Sequence, residues 1–383
     1  NGFQACLMAP TEILATQHYL TLKDMLAEMP VTVDLLTGSS NKKHRQSLLE
    51  RLSDGSLNIL IGTHALIEDE VNFKQLGLAV IDEQHRFGVA QRAKLWNRSV
   101  LKPHVLVMTA TPIPRTLAMT IHGELDVSVI DELPKDRKPV KTLHREEVYR
   151  GEVMAFLKRE LEKGRQAYVV YPLIEESSKL DLNDLKNGYD VVCSYFPVPQ
   201  YQISLLHGKM KSDVKDFEMH RFKSGITQIM ISTTVIEVGV NVPNASVMII
   251  ENANRFGLSQ LHQLRGRVGR GAEQSFCVLM TKDEMNYPSR KRIKTMCATN
   301  NGFEISKVDL ELRGPGDVLG TRQSGLPDFK LLDLVKDEEI IDLAKRASAY
   351  ILKNDPELTA PENQALLLYL QQHQDDHFWS RVS

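Results

Sequence analysis

Leu78-Ala79-Val80-Ile81-Asp82-Glu83-Gln84-His85 is an apolar run that ends abruptly in two carboxylates. A short apolar run bounded by polar residues reads as a buried strand. Carboxylates at its C-terminal end stand where parallel α/β sheets bind ligands. There Asp82 is suited to hold Mg²⁺ through water, and Glu83 to orient or deprotonate an attacking water. Taken alone, an acidic strand-end turn is the commoner explanation of such a pair.

Outward from this stretch the same pattern recurs. Ala5–Ala9, Val31–Leu36, Ile59–Ile61 and Val105–Met108 read as further strands. Pro10 and Thr11 mark a helix start, with Leu22, Met25, Leu26 and Met29 on one helical face; Lys42–Leu52 is a helix ended by Asp54-Gly55. Continuous apolar strands separated by helices predict a parallel sheet covered on both faces. The charged, proline-bearing stretch Glu132–Pro139 reads as a linker. The pattern then restarts, with strands at Ala167–Tyr171, Ser204–Leu206, Ile229–Ser232, Val247–Ile250 and Phe276–Met280 and a helix at Val214–Lys223. Beyond Thr281 it turns helical and basic, then glycine-rich at Arg313–Gly325.

The chain's 383 residues, 42% of them hydrophobic, suffice for two or three cores. Overall charge is balanced, 47 basic against 49 acidic residues, so bulk charge does not mark a nucleic-acid binder. From Tyr201 to Asn300 the count is 14 basic against 8 acidic, which suits either a solvated face or a phosphate-tracking surface. Cys6, Cys193, Cys277 and Cys297 are far apart with no C-x-x-C, which argues against zinc and disulfide frameworks and fits a reducing cytosol. No apolar run approaches the ~18 residues of a membrane span, and no signal peptide opens the chain.

A second chemical element is Gln260-Leu261-His262-Gln263-Leu264-Arg265-Gly266-Arg267-Val268-Gly269-Arg270. Arg267 and Arg270, three apart, would share a helical face and reach one polyphosphate as arginine fingers, and the glycines would permit close backbone approach. A basic surface helix is the plainer alternative, but glycines inside it would cost stability without return.

Seven segments in order resemble the motifs of superfamily 2 helicases. Ala9-Pro10-Thr11-Glu12 resembles motif Ia, Gly62-Thr63-His64 motif Ib, and Asp82-Glu83-Gln84-His85 the Walker B motif. Thr109-Ala110-Thr111-Pro112 resembles motif III, Leu206–Met210 lies in the motif IV region, Ser232–Val240 resembles motif V, and Gln263–Arg270 motif VI. Within that superfamily, Asp82–Val89 and Met108–Ala118 look like the RecG and transcription-repair coupling factor families. Asp309–Gly325 resembles the translocation motif those families share; its Gly314-Pro315-Gly316 turn and the short tail to Ser383 favour RecG.

The resemblance implies two tandem RecA-like parallel-sheet lobes, at 1–135 and 139–285, the first truncated at its start, then a small mainly helical region at 286–383. It implies ATP and Mg²⁺ as cofactors, with Asp82 toward the metal. Glu83, Gln84, His85, Arg267 and Arg270 join Asp82 as catalytic candidates, and Gln263, Gly239 and Glu237 are ATP-binding candidates. Thr11, Thr63, His64, Thr233 and Thr234 would hold the DNA backbone; for Thr11 and Thr63 alone an ordinary helix cap is the commoner role. Thr109, Thr111, Arg313, Arg322 and Gln323 would couple the sites.

The implied activity is an ATP-dependent, monomeric, cytoplasmic helicase that remodels stalled forks and Holliday junctions in DNA repair and recombination. A coupling-factor-like translocase and a non-catalytic DNA-binding remnant are the alternatives. The sequence contains no G-x-x-x-x-G-K-[ST]. In the family that loop lies just upstream of a strand like Phe3–Ala9, and a wedge domain lies further upstream. The chain alone is therefore expected to be inactive, with strands such as Leu78–Ile81 left with unpaired edges.

Overall fold

The computed structural model describes residues 2–83, 102–110, 126–132, 134, 137–172, 178–233, 242–282, 285–313 and 337–372. Its contacts divide the chain into two units, Asn1–Thr111 with Glu132–Ile305, and Pro112–Asp131 with Ser306–Ser383. The first unit holds two wholly parallel sheets. Sheet one contains β1 (Gln4–Met8), β2 (Val33–Leu36), β3 (Ile59–Gly62), β4 (Leu76–Ile81) and β5 (His104–Val107), in the order β2-β3-β1-β4-β5. Sheet two contains β6 (Lys141–Glu146), β7 (Gln166–Val170), β8 (Ile203–Leu206), β9 (Ile229–Ser232), β10 (Ala245–Ile250) and β11 (Phe276–Thr281), in the order β6-β11-β10-β7-β9-β8. Each sheet steps outward from its first central strand and then back across it, as RecA-like lobes do.

The two sheets repeat each other in detail. β2, β3, β1, β4 and β5 match β8, β9, β7, β10 and β11 in order. At the first central strand of each, a buried glutamine closes the same loop. Gln4 Nε2 donates to Leu52 O (2.9 Å) and Leu57 O (2.8 Å), and its Oε1 accepts from Gln75 N (3.0 Å). Gln166 Nε2 donates to Phe222 O (2.6 Å) and Thr227 O (2.8 Å), and its Oε1 accepts from Asn244 Nδ2 (3.2 Å). Burying an amide is tolerable only when its hydrogen-bonding capacity is met. Each lobe solves that problem with the same residue.

Helices position the strand ends. α1 (Glu12–Met25) starts at Thr11, whose side chain accepts from Leu14 N (3.4 Å). It packs Ala15, Tyr19 and Leu22 over β1, β2 and β3. The expected apolar face does not run on through Met29: the helix stops at Met25, and Met25 and Met29 are 71% and 58% exposed. α2 (Lys42–Asp54) buries Leu48 and Leu52 and ends at Gly55, whose φ of 86° is the left-handed conformation glycine adopts without penalty. In the second sheet α3 (Arg150–Glu162), α4 (Ser178–Tyr195) and α5 (Ser212–Lys223) precede β7, β8 and β9. α6 (Leu258–Arg265) and α7 (Tyr287–Ala298) follow β10 and β11, and α8 (Gly302–Arg313) comes next. The second unit contributes α9 (Glu338–Asn354) and α10 (Gln364–Gln372). Among the described residues no helix is long and apolar enough to cross a membrane.

Leu78–Ile81 is an interior strand, paired with β1 and β5, so it is not the open edge. That edge is β5. In sheet two the matching strand β11 is covered by β6, and no described strand plays that part beside β5. The face around β5 is correspondingly bare: Leu78, Leu106 and Phe3 are 40%, 51% and 48% exposed. An open concavity of about 810 Å³, lined by Phe3, Ala5, Ile59, Leu78 and His104 among others, lies at the N-terminal strand ends, away from the carboxylates.

Candidate active site

β4 delivers Asp82 and Glu83 to the C-terminal end of sheet one. Asp82 N donates to Met8 O (2.9 Å), which extends the sheet by one bond beyond the strand. Glu83 then turns out of the sheet with φ 51°, a left-handed conformation uncommon for a residue with a side chain. Strained backbone of this kind clusters at functional sites. Among the described residues each Asp82 oxygen has one partner: Oδ1 accepts from Glu83 N (2.9 Å), and Oδ2 lies 2.9 Å from His18 Nε2 on α1. The Glu83 carboxylate accepts from Ala110 N (3.4 Å), just past β5. The backbone of Asp82 is thus tied to β1 and its carboxylate to α1, while the Glu83 carboxylate is tied to the residues just past β5. Thr109, beside Ala110, is exposed.

The sequence reading missed His18. On α1 it is three residues from Ala15 and four from Leu22, within the inward stripe. A histidine set in an apolar stripe needs a polar partner across the interface, and that was the available signal.

The candidate backbone-binding threonines occupy matching places. Thr63 N donates to Leu36 O (3.4 Å) and Thr233 N to Leu206 O (3.3 Å), each just past a strand end. Both side chains are buried, 2% exposed, and neither hydroxyl has a partner among the described residues. Thr11 is the helix cap described above, and His64 is exposed. Glu12 binds Ser39 through both its backbone N (3.1 Å) and its hydroxyl (3.0 Å), tying the start of α1 to the loop after β2.

In the Gln260–Arg270 segment the helix ends earlier than expected. α6 stops at Arg265, so Arg267 and Arg270 lie in the turn beyond it and do not share a helical face. Burial raises the pKa of Tyr168 on β7, and the charges of Arg267 and Arg270 act against that rise. Burial, then the charge of Arg137, lowers the Arg270 pKa, and Arg137 Nε donates to Gly269 O (2.9 Å). The glycines divide in role. Gly269 has φ 79°, and a Cβ on Gly271 would meet Pro243 O at 2.7 Å; Gly266 is ordinary right-handed backbone. Arg265 is buried and serves as a strut, donating to Met296 O (2.9 Å) and Thr299 O (2.8 Å) at the end of α7. Its Nη2 also meets His262 Nδ1 at 3.1 Å, and burial first, then Arg265, lowers the His262 pKa to about 4. Gln263 is half-buried on α6. Arg313 ends α8. Gln84, His85, Thr111, Thr234, Glu237, Gly239, Arg322 and Gln323 lie outside the described residues.

Known proteins share this arrangement. Residues 1–120 match the DEAD/DEAH box helicase family, 152–272 the helicase conserved C-terminal domain, and 299–383 the C-terminal part of domain 3 of the ATP-dependent DNA helicase RecG. RecG of Bacillus subtilis (strain 168) is 52% identical over 362 residues, covering 94% of this chain and 53% of that protein. The chain belongs to the RecG family. RecG of Streptococcus pneumoniae is 47% identical, covering 97% of the chain and 54% of that protein. The solved structure of RecG bound to a three-way DNA junction superposes with a TM-score of 0.69 at 39% identity, covering 89% of this chain and 44% of that one. The chain thus spans about half the length of the RecG proteins it matches. Yeast Dbp5 bound to RNA and ADP BeF3, 15% identical with a TM-score of 0.56, shares the fold.

Proposed function

We propose that the chain is the motor portion of an ATP-dependent DNA helicase and translocase that remodels branched DNA, stalled forks and Holliday junctions among them, in repair and recombination. The observation that carries this reading is the Asp82–Glu83 pair. It stands at the C-terminal end of a parallel strand, held by hydrogen bonds from both sides, in a chain of the RecG family. We take the lobes as 1–135 and 139–285 and the translocation region as 286–383, in a monomeric cytoplasmic protein.

Mg²⁺ fits this carboxylate. After its two hydrogen bonds each Asp82 oxygen keeps a lone pair, and the side chain is 18% exposed. Such a site suits an ion that takes its remaining ligands from water and phosphate. When bound, the ion would neutralise charge on the β- and γ-phosphates of ATP. Asp82 would hold it through water. Glu83 would orient and deprotonate the attacking water, with Gln84 and His85 sensing the γ-phosphate. Arg267 and Arg270 would stabilise the charge that develops on the transferred group, with Gln263, Glu237 and Gly239 contributing to nucleotide binding. Thr11, Thr63, His64, Thr233 and Thr234 would grip DNA phosphates. The buried, unpartnered hydroxyls of Thr63 and Thr233 would then gain acceptors. Thr109, Thr111, Arg313, Arg322 and Gln323 would convert lobe movement into steps.

The test uses a chain extended upstream to include a phosphate-binding loop. Arg267→Ala or Arg270→Ala should lower DNA-stimulated ATPase by roughly 10³-fold or more, with nucleotide affinity changed far less. Forked DNA should stimulate the parent more than linear duplex. Lost affinity with intact turnover would remove the arginine-finger role; equal stimulation by both DNAs would remove the preference for branches.

A further inference from the structure

Asp82 and Glu251 occupy one position in the two repeats. Asp82 follows β4 and Glu251 follows β10. Their backbone N–H groups donate to the last residue of the neighbouring central strand, Met8 O at 2.9 Å and Val170 O at 2.8 Å. Each is followed by a non-glycine residue in the left-handed region, Glu83 at φ 51° and Asn252 at φ 48°. The backbone at the two sites is therefore the same device, and the partners of the two carboxylates differ.

In the second lobe the carboxylate is sealed. Glu251 is 2% exposed and makes a two-point pair with Arg150, at 2.7 and 2.8 Å. A guanidinium is a permanent cation, and it takes both carboxylate oxygens of Glu251. In the first lobe the partner is an imidazole. It takes one oxygen of Asp82, and the carboxylate remains 18% exposed. An imidazole can fix the carboxylate through one Nε2–H donor and, unlike a guanidinium, carries no permanent charge. The second oxygen is fixed by the Glu83 N–H, so the plane of the group is set from two directions. His18 itself is held by α1, anchored through Ala15 and Leu22 on the sheet and through Glu12 on Ser39.

We infer that His18 is a positioning residue for the Mg²⁺-facing carboxylate: its Nε2–H holds Asp82 Oδ2 and presets the lone pairs that receive the ion's water shell. Groups that hydrogen-bond a metal-facing carboxylate from behind tune its affinity for the ion, and losing one typically weakens binding about 10–100-fold. The inference rests on the proposed nucleotide site at Asp82. It adds a residue outside every segment on which the helicase resemblance was drawn.

The experiment measures Mn²⁺ as a spectroscopic substitute for Mg²⁺. In a chain extended to include the phosphate-binding loop, Mn²⁺ binding is titrated by electron paramagnetic resonance with a saturating non-hydrolysable ATP analogue. His18→Ala should weaken Mn²⁺ roughly 10–100-fold, and His18→Gln, which retains an N–H donor, should recover much of the loss. Affinity for the nucleotide in EDTA should be unchanged in both. Asp82→Asn separates the two levels of the argument. If Asp82→Asn weakens Mn²⁺ and His18→Ala stays within twofold of the parent, the role of His18 is overturned and the site stands. If Asp82→Asn has no effect, the metal assignment falls, and the inference with it. Equal losses in His18→Ala and His18→Gln would also overturn it, since the hydrogen bond would then not be what matters.

Discussion

Arg150 and Glu251 form a two-point ion pair at the end of β10, where the first lobe presents the solvent-accessible Asp82. Arg150 also holds Glu147 through two bonds, at 2.6 and 2.8 Å, and this pairing is the first cause of the lowered Glu147 pKa. The pair therefore pins the start of α3 to the end of β10. Removing one partner leaves a buried carboxylate uncompensated. Arg150→Met should cost about 3–5 kcal/mol in unfolding free energy by urea titration, and adding Glu251→Leu should return much of it. A single variant within about 0.5 kcal/mol of the parent would show the pair to be incidental.

Glu83→Gln, made in the extended chain, should keep ATP binding and lose most turnover. The substitution keeps the size of the side chain and its contact with Ala110 N while removing the carboxylate proposed as the base. General-base contributions of about 10²–10⁴-fold set the expected loss in kcat. A variant within threefold of the parent would sink the assignment, and single-turnover quench-flow separates it from slow product release.

Much of this was legible in the sequence, and the omissions have physical reasons. Continuous apolar strands such as Ile229–Ser232 and Ala245–Ile250 announce themselves because both sheet faces are covered. β6, Lys-Thr-Leu-His-Arg-Glu, does not, because an edge strand with an exposed face can be polar. The end of α6 at Arg265 was hidden because Gly266 has ordinary helical dihedrals; the chain leaves the helix only just beyond it. The tandem lobes were legible in the restart of the strand pattern after the linker; how closely they repeat was not, because a few positions carry the correspondence, among them Gln4 with Gln166 and Asp82 with Glu251. His18 stands out in the sequence only as a histidine in an apolar stripe, and its partner is 64 residues away.

His262 gives a pH dependence. Its folded pKa, about 4, lies below the ordinary histidine value of 6.5, because burial and Arg265 disfavour the charged ring. Between these values the unfolded chain binds more protons than the folded one, so stability rises with pH across that window and is lost as pH falls through it. The full contribution is at most roughly 3 kcal/mol, at 1.36 kcal/mol per pH unit. His262→Gln, which can still accept from Arg265, should flatten the slope of unfolding free energy between about pH 6.5 and 4. An unchanged slope would place the titration elsewhere.

The chain as given should show no DNA-stimulated ATPase, and its first lobe should be the weaker one. Phosphate affinity in such motors comes mainly from backbone N–H groups of a glycine-rich loop, the helix behind it and a lysine. No G-x-x-x-x-G-K-[ST] occurs in these 383 residues. The structure adds a second reason. Among the described strands β5 is an edge of sheet one with Leu106 half-exposed, and Leu78 on the adjoining strand is 40% exposed. Unpaired, apolar edges of this kind open and associate easily. In sheet two β6 pairs with β11 along six residues, and one buried cluster gathers side chains of that lobe from Val153 to Met280. Limited proteolysis followed by mass spectrometry should therefore cut before Glu132 first and leave a fragment spanning about Pro139 to Thr281. Robust ATPase from this chain would overturn the assignment of phosphate binding to that loop. A protease-resistant first lobe beside a labile second would mean that the β5 edge is covered in solution.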